Sequence, residues 1–204
     1  MSLSTVRCRI LGQSEIHTRG IRLTPESELQ FGLALYFCVQ AGREVPRDEI
    51  AHLFWPTHDA EAGRHCLRQA IYRLRVLGIA VRSSAKASVL DPHFIDADYA
   101  PAVVDGAPAS AYLRLEDVAV LPGYAPRFSR VFARWVEDFR DELAARMRRG
   151  LVRAISEMRA RGRYVEVERL CRFCLRLDPL NEEATLALAE AVALAGGKVE
   201  AVGH

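Results

Sequence analysis

The stretch 59–77 limits what this chain can fold into more than any other. At ~100° per residue, Leu67, Ala70, Ile71, Leu74 and Leu77 share one face of a helix. Arg64, His65, Arg68, Gln69, Tyr72, Arg73 and Arg75 occupy the opposite half-turn. Asp59 is placed to cap the start of this helix and Gly78 to end it. The only carboxylates of the segment, Asp59 and Glu61, stay at its beginning. A solvated helix face ordinarily interleaves both signs of charge. This face instead offers fork donors and amides above an apolar back, which is what the major groove of DNA accepts. Arg bonds guanine O6 and N7 in pairs, Gln bonds adenine N6 and N7, and flanking arginines hold phosphates. Tyr72 is suited to a thymine methyl or a phosphate. The plainer alternative is an exposed face that happens to be basic.

The flanking segments decide between these. Val6 to Ile10 alternates apolar and polar, and Ile16 to Leu23 resumes the alternation around Arg19-Gly20, which reads as a small antiparallel sheet with one wet face. From Glu26 the period becomes helical, with Leu29, Leu33, Tyr36 and Phe37 on one stripe and Gly42 as the stop. A second helix starts at Arg47 after Pro46, carries Ile50, Leu53 and Phe54, and ends at Pro56. Beyond Gly78, Ile79-Ala80-Val81, then Val89-Leu90 and Phe94-Ile95, read as the strands of a β-hairpin around a polar turn from Arg82 to Ser88. Three helices, the last long and basic, followed by a hairpin, make a winged helix-turn-helix. Arg82, Ser84 and Lys86 at the hairpin tip would meet the DNA backbone or a minor groove; an ordinary polar turn would carry the same residues.

The stretch 100–110 is rich in Ala, Pro and Gly and reads as a boundary. The expected organisation is therefore a DNA-binding domain over 1–99, a linker over 100–110 and an all-helical domain over 111–204. Phe132, Trp135, Val136 and Phe139 form one apolar stripe, and Leu143, Met147, Leu151 and Ile155 another. Val167, Leu170, Cys171, Cys174 and Leu175 would face them across the break at Gly162, and Leu186, Leu188 and Ala189 would stack on that pair. Helices joined by short turns with no strand signal read as stacked helical hairpins. The expected fold class is mainly α with a small β part.

The net charge of +2 is too small to argue for a nucleic-acid partner on its own. Only Lys86 and Lys198 are lysines, and this arginine bias also follows from a GC-rich coding genome. The basic set Arg127, Arg130, Arg134, Arg146, Arg148, Arg149, Arg153, Arg159, Arg161 and Arg163 is interleaved with Glu137, Asp138, Asp141, Glu142 and Glu157. It reads first as a solvated, ion-paired face, and second as a surface facing DNA, the winged domain or RNA polymerase. Met1-Ser2-Leu3 leads straight into a strand without a signal-peptide pattern, and no apolar run is long enough to span a bilayer. Five cysteines, an odd count, fit reduced thiols, so a cytoplasmic protein is expected.

Catalytic chemistry is not expected. Cys171 and Cys174 form a CxxC inside a helical run with no second pair, so packed structural thiols are read rather than a zinc or redox site. Cys66 and His65 diverge as helix neighbours, and Asp91, Asp96 and Asp98 read as loop carboxylates rather than a metal cluster. There is neither a phosphate-cradling glycine loop nor a GxSxG. No catalytic residue, metal or cofactor is assigned.

The stretch 42–56, with Pro46-Arg47-Asp48-Glu49-Ile50, and the segment Leu67-Arg68-Gln69-Ala70-Ile71-Tyr72-Arg73-Leu74-Arg75 resemble the second and third helices of the antibiotic-regulatory-protein (SARP) type of bacterial activator. Leu121-Pro122-Gly123-Tyr124 and Trp135-Val136-Glu137 with Arg140 are similar to the entry into that family's bacterial transcriptional activation domain (BTAD). Arg161-Gly162-Arg163-Tyr164, 170–177, Asp178-Pro179-Leu180 and Glu183-Ala184 resemble its tetratricopeptide-like repeats. Pro46 stands where Ser or Thr is usual, Glu28 where a basic residue is, and the hairpin lacks a Gly-Gly-Tyr turn. The resemblance implies an OmpR-like winged helix binding promoter DNA, often as paired units on direct repeats, and an activation domain that mediates contacts and regulation. The chain ends in Gly196-Gly197-Lys198-Val199-Glu200, in what reads as mid-repeat, so a fragment of a longer regulator is expected. The alternative is a tetratricopeptide-like interaction module whose winged helix no longer binds DNA.

Overall fold

The computed structural model describes residues 5–104 and 106–202, with 195–202 as backbone only. Met1-Ser2-Leu3, Asp105 in the expected linker, and the terminal His204 lie outside the described residues. The chain is mainly helical with a small β part. It forms two compact units: one from the residues up to Asp98 with Leu121–Phe139, the other from Tyr99–Val120 with the residues from Arg140 onward.

In the first unit, β1 (Val6–Arg9), β2 (Glu15–Thr18) and β3 (Ile21–Leu23) form an antiparallel meander. Val6, Cys8 and Ile16 point to its dry side. Next come α1 (Glu28–Val39), a two-residue strand β4 (Val45–Pro46), α2 (Arg47–Phe54) and α3 (Ala60–Val76). The expected stripe on α1 is only part of its buried surface: Phe31 through Cys38 are all buried. A helix apolar all round needs cover on every side, and residues 121–139 supply the missing cover. Tyr124 meets Phe31 edge-on at 4.8 Å, and Trp135 lies 5.0 Å from Tyr36. Phe54 of α2 stacks on Phe128 at 5.6 Å and packs on Phe132 at 4.5 Å. Ser129 Oγ donates to Leu53 O at 2.7 Å and accepts from Phe132 N at 3.2 Å, and so starts the next long helix. Glu28 has a structural partner here, accepting from Arg127 N at 2.8 Å.

The hairpin differs from the expected one. Its strands are β5 (Arg82–Ser83) and β6 (Ala87–Val89), in a three-stranded sheet of order β4-β6-β5. Ile79 and Val81 are buried beneath it rather than paired in it. Phe94 and Ile95 do not belong to it. A 3-10 turn over Pro92–Phe94, capped by Asp91, redirects the chain into β7 (Ile95–Ala97), which pairs parallel to β1 with Cys8 opposite Ala97. Pro92 lacks the N–H that a continued ladder would need. The three aspartates are therefore structural rather than loop-solvated. Asp98 accepts from Ile10 N and Leu11 N at 2.9 Å, Asp96 pairs with Arg9, and the His93 side chain and N–H hold the Asp91 carboxyl below its ordinary pKa.

In the second unit, short helices α4 (Ala100–Val103) and α5 (Ala109–Tyr112) precede the long α6 (Arg130–Ala160), then α7 (Tyr164–Leu177) and α8 (Glu182–Val202). Residues of α6 from Arg140 onward belong to this unit. Asn181 caps α8, its Oδ1 accepting from Ala184 N at 2.9 Å. The expected stacking face of α8 is corrected. Leu186 is 71% exposed and Ala189 is exposed, while Ala184, Ala187 and Ala191 are buried. Small residues let α8 lie close against α7, whose buried set includes Cys171 and Cys174.

Gly150 sits inside α6, where Ala would ordinarily be preferred by about 1 kcal/mol. A Cβ at that position would overlap the Tyr112 hydroxyl and ring, and the same hydroxyl donates to Pro101 O at 2.9 Å. Gly150→Ala is therefore expected to lower stability by about 1–3 kcal/mol despite its better propensity. In a Tyr112→Ala background the same change is expected to be neutral or stabilising. Urea unfolding of the four chains of this cycle checks both signs.

Candidate nucleic-acid interface

The α2–α3 pair is built from local codes. Pro46 gives α2 no side-chain cap, and the first helical N–H, that of Arg47, is taken at 2.9 Å by Lys86 O of the hairpin. Asp59 caps α3, accepting from Glu61 N at 3.0 Å and Ala62 N at 2.8 Å. At the other end Gly78, with φ +98°, takes the left-handed conformation. Its N–H bonds Arg75 O and that of Ile79 bonds Leu74 O at 2.9 Å, the paired bonds of a Schellman motif. This turn buries Ile79 and Val81 and sends the chain out into β5.

Leu67, Ala70, Ile71 and Leu74 are buried and Leu77 is half-buried. Arg64, His65, Arg68, Gln69, Tyr72, Arg73 and Arg75 are all exposed. Their donors are not equally available. Arg64 Nε bonds Ala60 O and lies 3.3 Å from Asp48 of α2. Arg75 Nε donates to Val81 O at 2.8 Å and so anchors the base of the hairpin. Arg68 reaches only the His65 ring, at 3.4 Å. Among the described residues, Gln69, Tyr72 and Arg73 make no side-chain hydrogen bond or ion pair within the chain. Val76, one turn beyond Tyr72, is 63% exposed beside Tyr72 at 64%. The sequence reading did not single out Val76, since an apolar residue at the edge of an apolar stripe looks like core.

Across the hairpin, Arg82 lies 3.8 Å from Asp91, and the Ser84 hydroxyl accepts from Lys86 N and Ala87 N, closing a tight turn. That leaves the exposed Lys86 at the tip. Arg47, which was also not singled out, donates to Ser84 O at 3.3 Å.

No group of three or more His, Cys, Asp or Glu side chains among the described residues is placed to hold a metal ion. Among the described residues no helix is long and apolar enough to cross a membrane. No family model matches the chain, and no curated protein matches it in sequence.

All five cysteines are reduced; Cys66 is half-buried and the others are buried. Burial pushes the Cys171 and Cys174 thiols up from 9.0 to about 11. In the native chain one thiol, Cys66, is expected to react promptly with a disulfide reagent near pH ~8, and the rest only on unfolding. The raised thiols keep protons that the unfolded chain releases near 9.0, so their contribution to stability holds below that pH and is lost as pH rises towards about 11. Unfolding midpoints across that window are expected to fall, and to fall less in Cys171→Ala/Cys174→Ala.

Proposed function

We propose that this chain is a sequence-specific DNA-binding transcription regulator, an activator, in which α1–α3 and the β5–β6 hairpin act as a winged helix-turn-helix. In this reading α3 enters the major groove and the helical unit is a tetratricopeptide-like domain for regulation and assembly. The observation that carries it is the composition of the exposed half of α3: Arg68, Gln69, Tyr72 and Arg73 are exposed with no carboxylate partner among the described residues, opposite the buried Leu67, Ala70, Ile71 and Leu74. Arg68 and Gln69 are the base readers, Tyr72 with Val76 packs on thymine methyls, and Arg73 and Lys86 hold phosphates. Arg64, Arg75 and Arg82 contribute charge while keeping the supporting bonds described above. The resemblance to antibiotic-regulatory-protein activators runs in the same direction, with promoter DNA and paired copies on direct repeats as the implied partners.

A second reading, an interaction module without DNA binding, is favoured by the exposed apolar side chains Leu186 and Leu194 on α8. Selection of the chain against a randomised duplex library separates the two. An enriched motif, repeated at about one helical turn of DNA, is the expected result; equal recovery of all sequences would overturn the proposal. Affinity for the selected site is expected to fall with salt at a log–log slope of about −0.9 per phosphate neutralised. Arg68→Ala is expected to cost about 1–3 kcal/mol and relax one position of the motif, whereas Lys86→Ala weakens all sequences alike and lowers the slope by about one.

A further inference from the structure

The helical unit carries a second concentration of arginine that the proposed function does not use. Most of its charged side chains are neutralised locally: Arg146 by Glu142 at 2.6 Å and Arg148 by Asp178 at 3.3 Å, for example. Arg149 and Arg153 have no carboxylate partner among the described residues. Together with Arg146 they recur at i, i+3 and i+7 along one face of α6, a run of roughly 10 Å at 1.5 Å per residue. These side chains line an open cavity of about 440 Å³ within the unit, whose lining also includes Val104, Val152 and Asn181, the cap of α8. Four arginines line it, counting Arg148, and none of its lining among the described residues is a carboxylate.

A volume of this size belongs to small-molecule sites rather than to bound water or an inorganic ion. Guanidinium forks recognise phosphate in paired, charge-assisted bonds, and the valine side offers an apolar body no polar partner. We propose that this cavity binds a small organic phosphate, a phosphate monoester on an apolar or flat body. Arg149 and Arg153 grip the head group while Val104 and Val152 pack on the body. The inference does not depend on DNA binding by α3.

Calorimetric titration of the whole chain with 1-naphthyl phosphate tests it, with inorganic phosphate and 1-naphthol as the two half-ligands. The expected result is binding of naphthyl phosphate at least about tenfold tighter than either half, weakened about tenfold or more by Arg149→Gln/Arg153→Gln, since each lost bond to a charged group carries such a factor. Val152→Trp, which fills the cavity and keeps every arginine, is expected to abolish binding. It guards against an effect of the double variant on folding. Equal affinity for inorganic phosphate and naphthyl phosphate would mean exposed charge only and would overturn the proposal. So would binding that survives both variants.

Discussion

Everything in the first unit rests on the burial of α1. Residues 31–38 of that helix leave no side for water, so the sheet and the α2–α3 pair cannot by themselves complete its surroundings. The remaining cover comes from a segment that leaves at Asp98 and returns at Leu121. Phe132, Tyr124 and Val136 arrive fully buried, each worth about 1.5–3 kcal/mol of apolar burial. Against a net stability of about 5–15 kcal/mol for a domain, three such side chains are not an accessory. Phe54 shows how this reaches the exposed helix: its ring touches Phe128 and Phe132 on one side and belongs to α2, the helix on which α3 packs.

The two arginine populations of the chain obey different local rules. On α6 and α7 several arginines answer carboxylates three or four residues away, as Arg161 does Glu157 and Arg172 does Glu168, and others reach carboxylates of other segments, as Arg159 does Glu190. Exposed pairs of that kind contribute little each but leave the surface near neutral. On α3 no such partner follows Glu61, and the exposed guanidinium groups of Arg64, Arg68 and Arg75 turn to backbone carbonyls, to a ring nitrogen and, for Arg64, to Asp48 of α2. Repulsion along that face is small in water, so the helix tolerates it. What it gains is a set of donors on Arg68, Gln69 and Arg73 left open to a ligand, as the proposed reading of DNA requires.

What could be read from the sequence was whatever is decided within a few residues. The bounds of α3 follow from Asp59 and Gly78, and the stop of α2 from Pro56, because caps and breakers act locally. The exposed and buried halves of α3 follow from polarity at helical spacing. The parallel pairing of β7 with β1 and the return of residues 121–139 join positions roughly a hundred apart, and no local pattern encodes them. The face of α8 was misjudged for another reason. Glu182, Thr185 and Glu190 fall on the half of α8 opposite Ala184, Ala187 and Ala191, so polarity at helical spacing points to the alanine face, while the bulk of Leu186 and Leu188 points elsewhere. Choosing the leucines assumed that larger side chains go inside. Close approach to α7 selected the small ones instead.

The hairpin shows why α3 and Lys86 must be considered as one surface. Strands of two and three residues cannot hold a hairpin alone in water. This one is tied to the helices at three points: Arg47 N on Lys86 O, the Arg47 guanidinium on Ser84 O, and Arg75 Nε on Val81 O. The first of these also replaces the side-chain cap that Pro46 cannot offer α2. A change at the tip therefore reaches the start of α2, and a change at Arg75 reaches the tip. For a protein proposed to read one groove with α3 and hold the backbone with Lys86, this is the useful coupling. It fixes the spacing between reader and grip with backbone bonds, and leaves the donors of Arg68, Gln69 and Arg73 to the ligand.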